Sequence, residues 1–447
     1  MPNHRIARVC SRVILGLLLA CVAAHTVFAD EIRVPDDYRS LQQAVNASSA
    51  GDEIIITRRT ALRENVTIRN ARRLTITTAR TASEVVLQAR DHDEPVIELA
   101  NCRQVLIENL NIQSGSVGVF CENGDDVVFS NCIIQENKTV GITGTGFELE
   151  ECTVRWNLTW GVELIGDPED PTEVHALITD SVIHRNFGGG VRIQAATVEF
   201  SSATISNNVG YGLEVLDDSV VTFDDGSTPT LIENNVDGVW VHDATITLQG
   251  IIRDNGNEGV LAEDATLHLE GAMISGHPVA GVHYVRSTGT VIDTTITENP
   301  GDGVIVDDAS SVTISGGLIS LQGLAGILAI NAGQVVVDSG ALIQANAGSG
   351  LVVRGASATV LDATILENEQ HGILVDSAGT LATAGAVVNA NLMDGIHVSA
   401  ASATIAASDV FANAANGITA LEGAEVTVLD GSTVHENGVD GIAVDSA

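Results

Sequence analysis

Polar side chains in the middle of the chain have the types that acid–base chemistry requires. The candidate catalytic residues are His242, His283, Glu214 and Arg192. An imidazole exchanges protons near neutral pH, and either histidine could act with Glu214 or Glu263 as its carboxylate partner. The guanidinium of Arg192 could neutralise a carboxylate on an acidic ligand. This combination predicts a site for proton transfer on a polar ligand.

Aromatic and acidic residues of the same stretch are the candidate binding groups. All 3 tryptophans of the chain occur here. The proposed binding set is Trp156, Trp160, Tyr211, Trp240, Glu163 and Glu263. An indole ring offers a flat apolar surface, and carboxylates accept hydrogen bonds from hydroxyl groups. We therefore predict a groove across residues 163–283 that suits a sugar, the alternative being a solvated face with incidental charges.

The elements that must position these residues are indicated by a repeated phrase, Asn-x-x-x-Gly followed by Val, Ile or Leu. Fifteen glycines mark the repeat at spacings of 20 to 29 residues, and twelve have Asn four residues earlier. Ser114, His277 and Gln322 take the asparagine position in the other three. A period of this length is typical of a solenoid. The anchors are Gly118, Gly141, Gly161, Gly190, Gly212, Gly238, Gly259, Gly281, Gly303, Gly326, Gly350, Gly372, Gly395, Gly417 and Gly441.

Each repeat contains short runs in which apolar and polar residues alternate, a pattern that predicts strands. About three strands per repeat would form one rung of a parallel β-helix, with rungs stacked about 4.8 Å apart. Asn suits a sharp corner in the left-handed conformation, and Gly lets the backbone turn there. Equal positions of successive rungs then form columns, and the asparagines form a hydrogen-bonded ladder.

In the strand after each glycine, the first and third residues are predicted to point inward, and the second and fourth outward. The second-position column is Thr143, Glu163, Arg192, Glu214, Trp240, Leu261, His283, Ile305, Leu328, Val352, Leu374, His397, Thr419 and Ala443. Its aliphatic part predicts an exposed apolar stripe that contacts another chain or a missing tail, the alternative being that edge loops fold over it. The stripe comprises Leu261, Ile305, Leu328, Val352 and Leu374.

Residues 1–29 are predicted to be a secretory signal, since a basic start precedes an apolar run and small residues at a cleavage position. Secretion, export to the periplasm or display at the cell surface is therefore expected. Lipidation of Cys21 is the alternative. No later stretch is long and apolar enough to predict a transmembrane segment.

Residues 30–100 form the predicted N-terminal cap and first rungs, and residues 101–447 the repeats. Ser40 is a candidate cap for a short helix that covers the open end of the core. The chain stops in mid-rung after Gly441, which predicts a longer protein or a capping partner.

The N-terminal segment contains V-P-x-D-Y-x-S-L-Q-x-A-V, then G-D-x-I-x-I, then E-N-V-T-I, within residues 34–68. These phrases resemble the start of pectin-lyase-like β-helix proteins, including NosD-type and carbohydrate-processing groups. The resemblance covers about residues 32–447. It implies an all-β fold, a right-handed parallel β-helix or solenoid with a short N-terminal capping helix. That superfamily includes lyases, hydrolases, esterases, epimerases, tailspikes and adhesins, so the fold alone does not select an activity.

One longer repeat contains Asp167-Pro168-Glu169-Asp170, and another contains Asp224-Asp225-Gly226. The first is similar to the Asp-Pro-His-Asp/Glu motif of mannuronan epimerases, with Glu169 in place of the histidine. An acidic loop bounded by prolines is the simpler interpretation, because four-residue motifs recur by chance.

The acidic charge is concentrated in the repeats. Residues 111–447 contain 7 basic and 45 acidic residues, whereas residues 1–110 contain 14 basic and 13 acidic residues. Nucleic acid is excluded as a partner, because a polyanion would be repelled. No cofactor or metal site is evident. A carboxylate row could hold Ca²⁺, although a solvated acidic surface is favoured. The row is Asp218, Asp243, Asp264 and Asp308.

Three functions are compatible with these patterns. The favoured one is an exported rod that binds a polysaccharide or a partner on a cell surface, because no complete catalytic set is evident. The alternative is a polysaccharide lyase, epimerase or hydrolase that uses the groove at residues 163–283. The third is a structural spacer without ligand. Whether the protein is an enzyme is left open by the sequence.

Overall fold

The computed structural model describes residues 29–57, 61–167, 169–170, 174–224, 228–429 and 431–445. Within them the chain forms one α-helix, Leu41–Ala47, and 52 β-strands. The predicted signal lies outside the described residues except for Ala29. No helix in the described part is long and apolar enough to cross a membrane.

The strands form three parallel sheets, and after the first strand, Glu31–Val34, each rung contributes one strand to each sheet. Sheet 1 consists of two successive nine-stranded ladders. Its first ladder contains Glu31–Val34, Glu53–Ile56, Thr75–Thr78, Arg103–Glu108, Asp125–Ser130, Phe147–Glu150, His175–Thr179, Thr197–Ser201 and Val220–Asp224. Its second contains Thr245–Leu248, Thr266–Glu270, Thr288–Ile292, Ser311–Ser315, Gln334–Asp338, Ser357–Leu361, Thr380–Ala384, Ser402–Ala406 and Glu425–Val428.

Sheets 2 and 3 are continuous ladders. Sheet 2 contains Leu62–Arg63, Val86–Gln88, Asn111–Gln113, Ile133–Gln135, Thr153–Arg155, Val182–His184, Thr204–Ser206, Leu231–Glu233, Ile251–Arg253, Met273–Ser275, Thr295–Thr297, Leu318–Ser320, Leu342–Gln344, Thr364–Leu366, Val387–Asn389, Asp409–Phe411 and Thr433–His435. Sheet 3 contains Val66–Arg69, Ile97–Ala100, Val119–Glu122, Ile142–Gly144, Trp160–Ile165, Gly189–Gln194, Tyr211–Leu216, Asp237–His242, Glu258–Glu263, Ala280–Val285, Asp302–Asp307, Ile327–Ile330, Leu351–Arg354, Ile373–Asp376, Ile396–Ser399, Ile418–Leu421 and Ile442–Asp445.

The core is a column of aliphatic side chains enclosed by the three sheets. In sheet 3, for example, Val239, Val260 and Val282 are in register and at most 1% exposed. Branched aliphatic residues suit such a column because they pack against equivalents one rung away. Burial of one strand face explains the two-residue alternation, and the predicted all-β solenoid is confirmed.

The predicted asparagine ladder joins sheets 2 and 3. The side-chain amide nitrogen of Asn346 donates to Oδ1 of Asn368 at 2.8 Å, and the backbone N–H of Asn346 donates to the same side-chain oxygen at 3.1 Å. His277 and Gln322 continue the ladder as predicted. Ser114 does not, because the neighbouring Gly115 donates its N–H to the ladder residue of the next rung.

The predicted conformations at this corner were wrong in one respect. The left-handed residue is the one before the ladder position, for example Trp156 with φ 55° and Ala345 with φ 53°. The anchor glycines are needed for close contact. A Cβ on Gly326 would lie 2.7 Å from the carbonyl oxygen of Gly350 and 2.9 Å from the Asn346 amide nitrogen.

The capping helix explains the N-terminal phrases. Ser40 caps it by accepting a hydrogen bond from the backbone N–H of Gln43. The Glu64 carboxylate accepts the backbone N–H groups of Leu41 and Gln42 at 2.9 and 3.0 Å. The Gln42 amide pairs with both backbone groups of Thr67, in the first strand of sheet 3. The helix thus covers the open end of the core, as predicted.

Candidate functional site

The outward column of sheet 3 has the predicted register. Glu163 pairs with Arg192, Arg192 with Glu214, and Glu214 with Trp240. Leu261 and then His283 follow. Five of the ten predicted site residues therefore lie in this one column.

An ion-pair ladder occupies the first part of the column. The Arg192 Nε atom lies 2.9 Å from Glu214 Oε2, and its Nη1 atom lies 3.7 Å from Glu163 Oε1. Its guanidinium also lies 6.0 Å from the ring centre of Trp160. Burial raises the pKa of Glu163 and of Glu214, and the charge of Arg192 opposes this increase. Arg192 is thus neutralised by the protein's own carboxylates.

An aromatic stack follows the ion-pair ladder. Trp240 lies between two rings, with centroid distances of 5.1 Å to Tyr211 and 5.7 Å to His242. The indole N–H of Trp240 donates to Glu263 Oε2 at 2.9 Å. All three rings are half-buried, or close to it. Two neighbouring rings stack on the indole and Trp240 is partly buried, so it does not present the open flat surface expected from the sequence.

The two predicted catalytic histidines have other carboxylate partners than predicted. His242 Nε2 lies 3.3 Å from Asp243 Oδ2. His283 Nδ1 is hydrogen-bonded to Glu258 Oε1 at 2.7 Å, and its Nε2 atom lies 3.9 Å from Asp307 Oδ2. The contacting carboxylates are therefore Asp243 and Glu258 rather than Glu214 and Glu263.

The predicted carboxylate row lies at the corner between sheets 3 and 1, beside His242. Asp217, Asp218, Asp243 and Asp264 line an open depression of about 590 Å³ there. Arg286 interrupts the row, with contacts of 2.9 Å to Asp264 and 3.2 Å to Asp308. Its hydrogen bond lowers the pKa of Asp264, against the opposing effect of burial. The row is thus acidic at one end and ion-paired at the other.

Two sequence features lie apart from this face. Trp156 belongs to the corner that follows sheet 2, where the Arg155 guanidinium lies 4.1 Å from its ring centre. Glu169 and Asp170 form a tight turn with Asp167, which fits the acidic-loop interpretation. Pro168, Pro171, Asp225 and Gly226 lie outside the described residues.

The predicted exposed aliphatic stripe was wrong. Ile305 is 9% exposed and Val352 8%, because in-register neighbours cover each side chain from above and below. Leu261, Leu328 and Leu374 are partly buried. Exposed apolar residues form a ridge instead, directly after the ladder position on four successive rungs. This ridge is Leu158, Phe187, Val209 and Val236, each 42–57% exposed.

A cluster that was not predicted from the sequence lies further along sheet 3. His397 Nδ1 is hydrogen-bonded to Asp394 Oδ2 at 2.8 Å, and His371 Nδ1 lies 3.6 Å from the same oxygen. Burial lowers the pKa of His371 to about 4. Asp394 is buried, which would raise its pKa, but hydrogen bonds led by that from His397 lower it. Aligning the residues just before each anchor glycine would have brought His371 and Asp394 together.

Comparisons with known proteins agree with this architecture. The family described as "Right handed beta helix region" matches residues 45–227, 142–292 and 280–432. No curated protein sequence matches the chain.

Solved structures resemble the chain in fold alone. A Paenibacillus alginate lyase is 13% identical, covering 54% of this chain and 93% of its own, with a TM-score of 0.36. The A-module of an Azotobacter vinelandii mannuronan C-5 epimerase is 13% identical, and the match covers 91% of this chain and 98% of the module, with a TM-score of 0.29. A carrot pectin methylesterase is 12% identical, and the match covers 55% of this chain and 82% of the methylesterase, with a TM-score of 0.28. The family match, which spans most of the chain, shows that this protein belongs to the right-handed β-helix family.

Proposed function

We propose that this protein binds a neutral glycan along the outward face of sheet 3, from Glu163 to His283. The observation that carries the proposal is the stack of Tyr211, Trp240 and His242, which is partly exposed and surrounded by carboxylates. Aromatic rings contact the apolar faces of sugars, and carboxylates accept hydrogen bonds from hydroxyl groups.

The charges favour a neutral ligand over a polyuronate. Arg192 is the one cation in the column between Glu163 and His283, apart from the histidines, and two glutamates already neutralise it. Asp243 and Glu263 add negative charge beside the stack. An anionic polymer would meet uncompensated carboxylates and would be repelled.

The apolar ridge supports a long ligand. Leu158, Phe187, Val209 and Val236 run beside the same rungs as the ion-pair ladder and the stack. A glycan likewise combines apolar C–H surfaces with polar hydroxyl edges. The proposed surface therefore offers apolar contacts for the C–H surfaces and polar contacts for the hydroxyl groups over several rungs.

We also propose that the protein acts outside the cytoplasm, either secreted, in the periplasm or at the cell surface. The basic and apolar N-terminal segment within residues 1–29 supports this location. Cleavage after Ala29 in the exported protein, measured by N-terminal sequencing, is the expected result. Retention of residues 1–29 would contradict the proposal.

The test is retention of the purified protein on immobilised neutral and uronic polysaccharides, with and without Ca²⁺. We expect retention on a neutral polymer, independent of Ca²⁺. Trp240→Ala should weaken binding at least about 10-fold, because Tyr211 and His242 lose the ring that holds them in place. Titration calorimetry with the retained polymer measures this change.

Phe411→Ala is the matched control. Phe411 stacks on His435 at 5.2 Å, but on sheet 2. This variant should bind the glycan like the parent protein. Failure of every polymer to bind, or equal losses in both variants, would contradict the proposal.

Catalysis is the second candidate function, and one contact favours it. Glu258 orients His283 through Nδ1, while the buried Nε2 atom has no hydrogen-bond partner among the described residues. The contact with Glu258 is that of an oriented general base, and a ligand would have to displace neighbouring side chains to reach Nε2. Unsaturated product, new reducing ends or proton exchange at the sugar, lost in His283→Gln, would establish a lyase, hydrolase or epimerase.

A further inference from the structure

The cluster of His371, Asp394 and His397 lies on the outward side of sheet 3, well separated from the aromatic stack. His371 and Asp394 occupy the same position of successive rungs, just before the anchor glycines, and His397 lies three residues after Asp394. One ligand atom from each residue lies within 4.8 Å of the others. The two imidazole rings are 4.4 Å apart.

One atom of the cluster lacks a partner. His371 is 9% exposed, and its Nδ1 atom is buried without a hydrogen bond among the described residues. That atom lies 3.6 Å from Asp394 Oδ2, too far for a hydrogen bond. A buried polar atom without a hydrogen-bond partner destabilises the folded state. A cation between the two side chains would satisfy it.

The carboxylate is held in place independently of the histidines. Asp394 Oδ1 accepts the backbone N–H of Asn416, on the next rung, at 3.0 Å. The side chain of Asn416 in turn donates to Thr419 Oγ1 at 3.0 Å. Support of this kind orients a metal ligand before the ion arrives.

We propose that His371, Asp394 and His397 bind a transition-metal ion, with Zn²⁺ as the best fit. Two imidazoles and one carboxylate suit Zn²⁺, which takes three or four nitrogen, sulfur or oxygen ligands from a protein. Ca²⁺ is disfavoured, since it takes six to eight oxygen ligands. The hydrogen bond from His397 Nδ1 to Asp394 would be replaced by coordination, with the His397 proton moved to Nε2.

The experiment titrates chelator-treated protein with Zn²⁺ by calorimetry, and with Co²⁺ by visible absorbance. We expect one tight site per chain, unaffected by millimolar Ca²⁺. His397→Ala and Asp394→Asn should each weaken Zn²⁺ binding by about 100-fold or more, since loss of a supporting residue alone costs 10- to 100-fold. Co²⁺ absorbance should disappear in both variants.

His435→Ala is the matched control, because His435 also contacts an aspartate, Asp409 at 3.1 Å, but on sheet 2. It should bind Zn²⁺ like the parent protein. Unchanged far-UV circular dichroism would show that the partly exposed His397 can be replaced without unfolding. Binding that survives in His397→Ala, or that is lost equally in His435→Ala, would overturn the proposal.

Discussion

A side chain's ionisation in this protein depends on its position in the rung. His277 occupies a position that most rungs give to asparagine, and it is fully buried. Its Nδ1 atom is hydrogen-bonded to Asn299 Oδ1 at 2.9 Å, and its Nε2 atom to the Asn255 amide at 3.2 Å. A carbonyl acceptor on one side and an amide donor on the other require a neutral ring with its proton on Nδ1.

This position predicts acid sensitivity. Burial lowers the pKa of His277 to about 4, against smaller opposing effects of Asn299 and Asp254. Between pH 6.5 and 4 the unfolded chain therefore binds more protons than the folded one, and the contribution to stability falls as pH falls. The loss by pH 4 is about 3 kcal/mol.

His277→Asn should remove this part of the acid sensitivity, because asparagine keeps the ladder and does not titrate. Thermal unfolding of both proteins from pH 7 to 4 measures the difference. As pH falls, we expect the thermal midpoint of the variant to rise relative to that of the parent protein. A difference in thermal midpoint that stays constant from pH 7 to 4 would show that His277 does not titrate as described.

At the scale of the element, the corner between sheets 2 and 3 is closely packed in successive rungs. The ladder amide, the anchor glycine and a branched side chain meet there. The left-handed residue just before the ladder position accepts many side-chain types, including Trp156 and Ala345. The position with positive φ therefore accepts different side chains, whereas the anchor position requires glycine because two rungs are in contact there.

Gly326→Ala should destabilise the protein by about 3 kcal/mol, because the added methyl group overlaps the next rung. The nearest atoms to that methyl group are the Gly350 oxygen and an Ile343 methyl carbon, both at 2.7 Å. Chemical denaturation measures the loss. Gly441→Ala is the control, since its nearest contact is 3.7 Å away, and equal losses would contradict the packing argument.

For the whole molecule, the main electrostatic feature is a net charge of −37. Surface pairs such as Arg354 with Asp376 neutralise only a few of these carboxylates. Repulsion between the remaining charges opposes the folded state and is screened by salt.

Raising NaCl from about 10 mM to 0.5 M should therefore raise the thermal midpoint by a few degrees, since the Debye length falls from about 30 Å to a few ångströms. Differential scanning calorimetry at constant pH measures the change. A midpoint that falls with salt would mean that favourable ion pairs outweigh the repulsion.

The features that every rung repeats could be predicted from the sequence. The outward column from Glu163 to Trp240 has its predicted register because core burial enforces a two-residue alternation. Contacts between different columns could not be predicted. The pairing of His283 with Glu258 and the buried state of Ile305 both depend on side-chain directions and on coverage by neighbouring rungs.

The in-register stacking of sheet 3 also fixes the spacing between equivalent positions along the molecule. Seven strand pairings separate Trp240 from His397. At about 4.8 Å each, they place the aromatic stack and the histidine cluster roughly 34 Å apart. Gain or loss of one whole repeat would change that separation by a single step and leave both sites intact. The number of repeats between the aromatic stack and the histidine cluster therefore sets the distance between them.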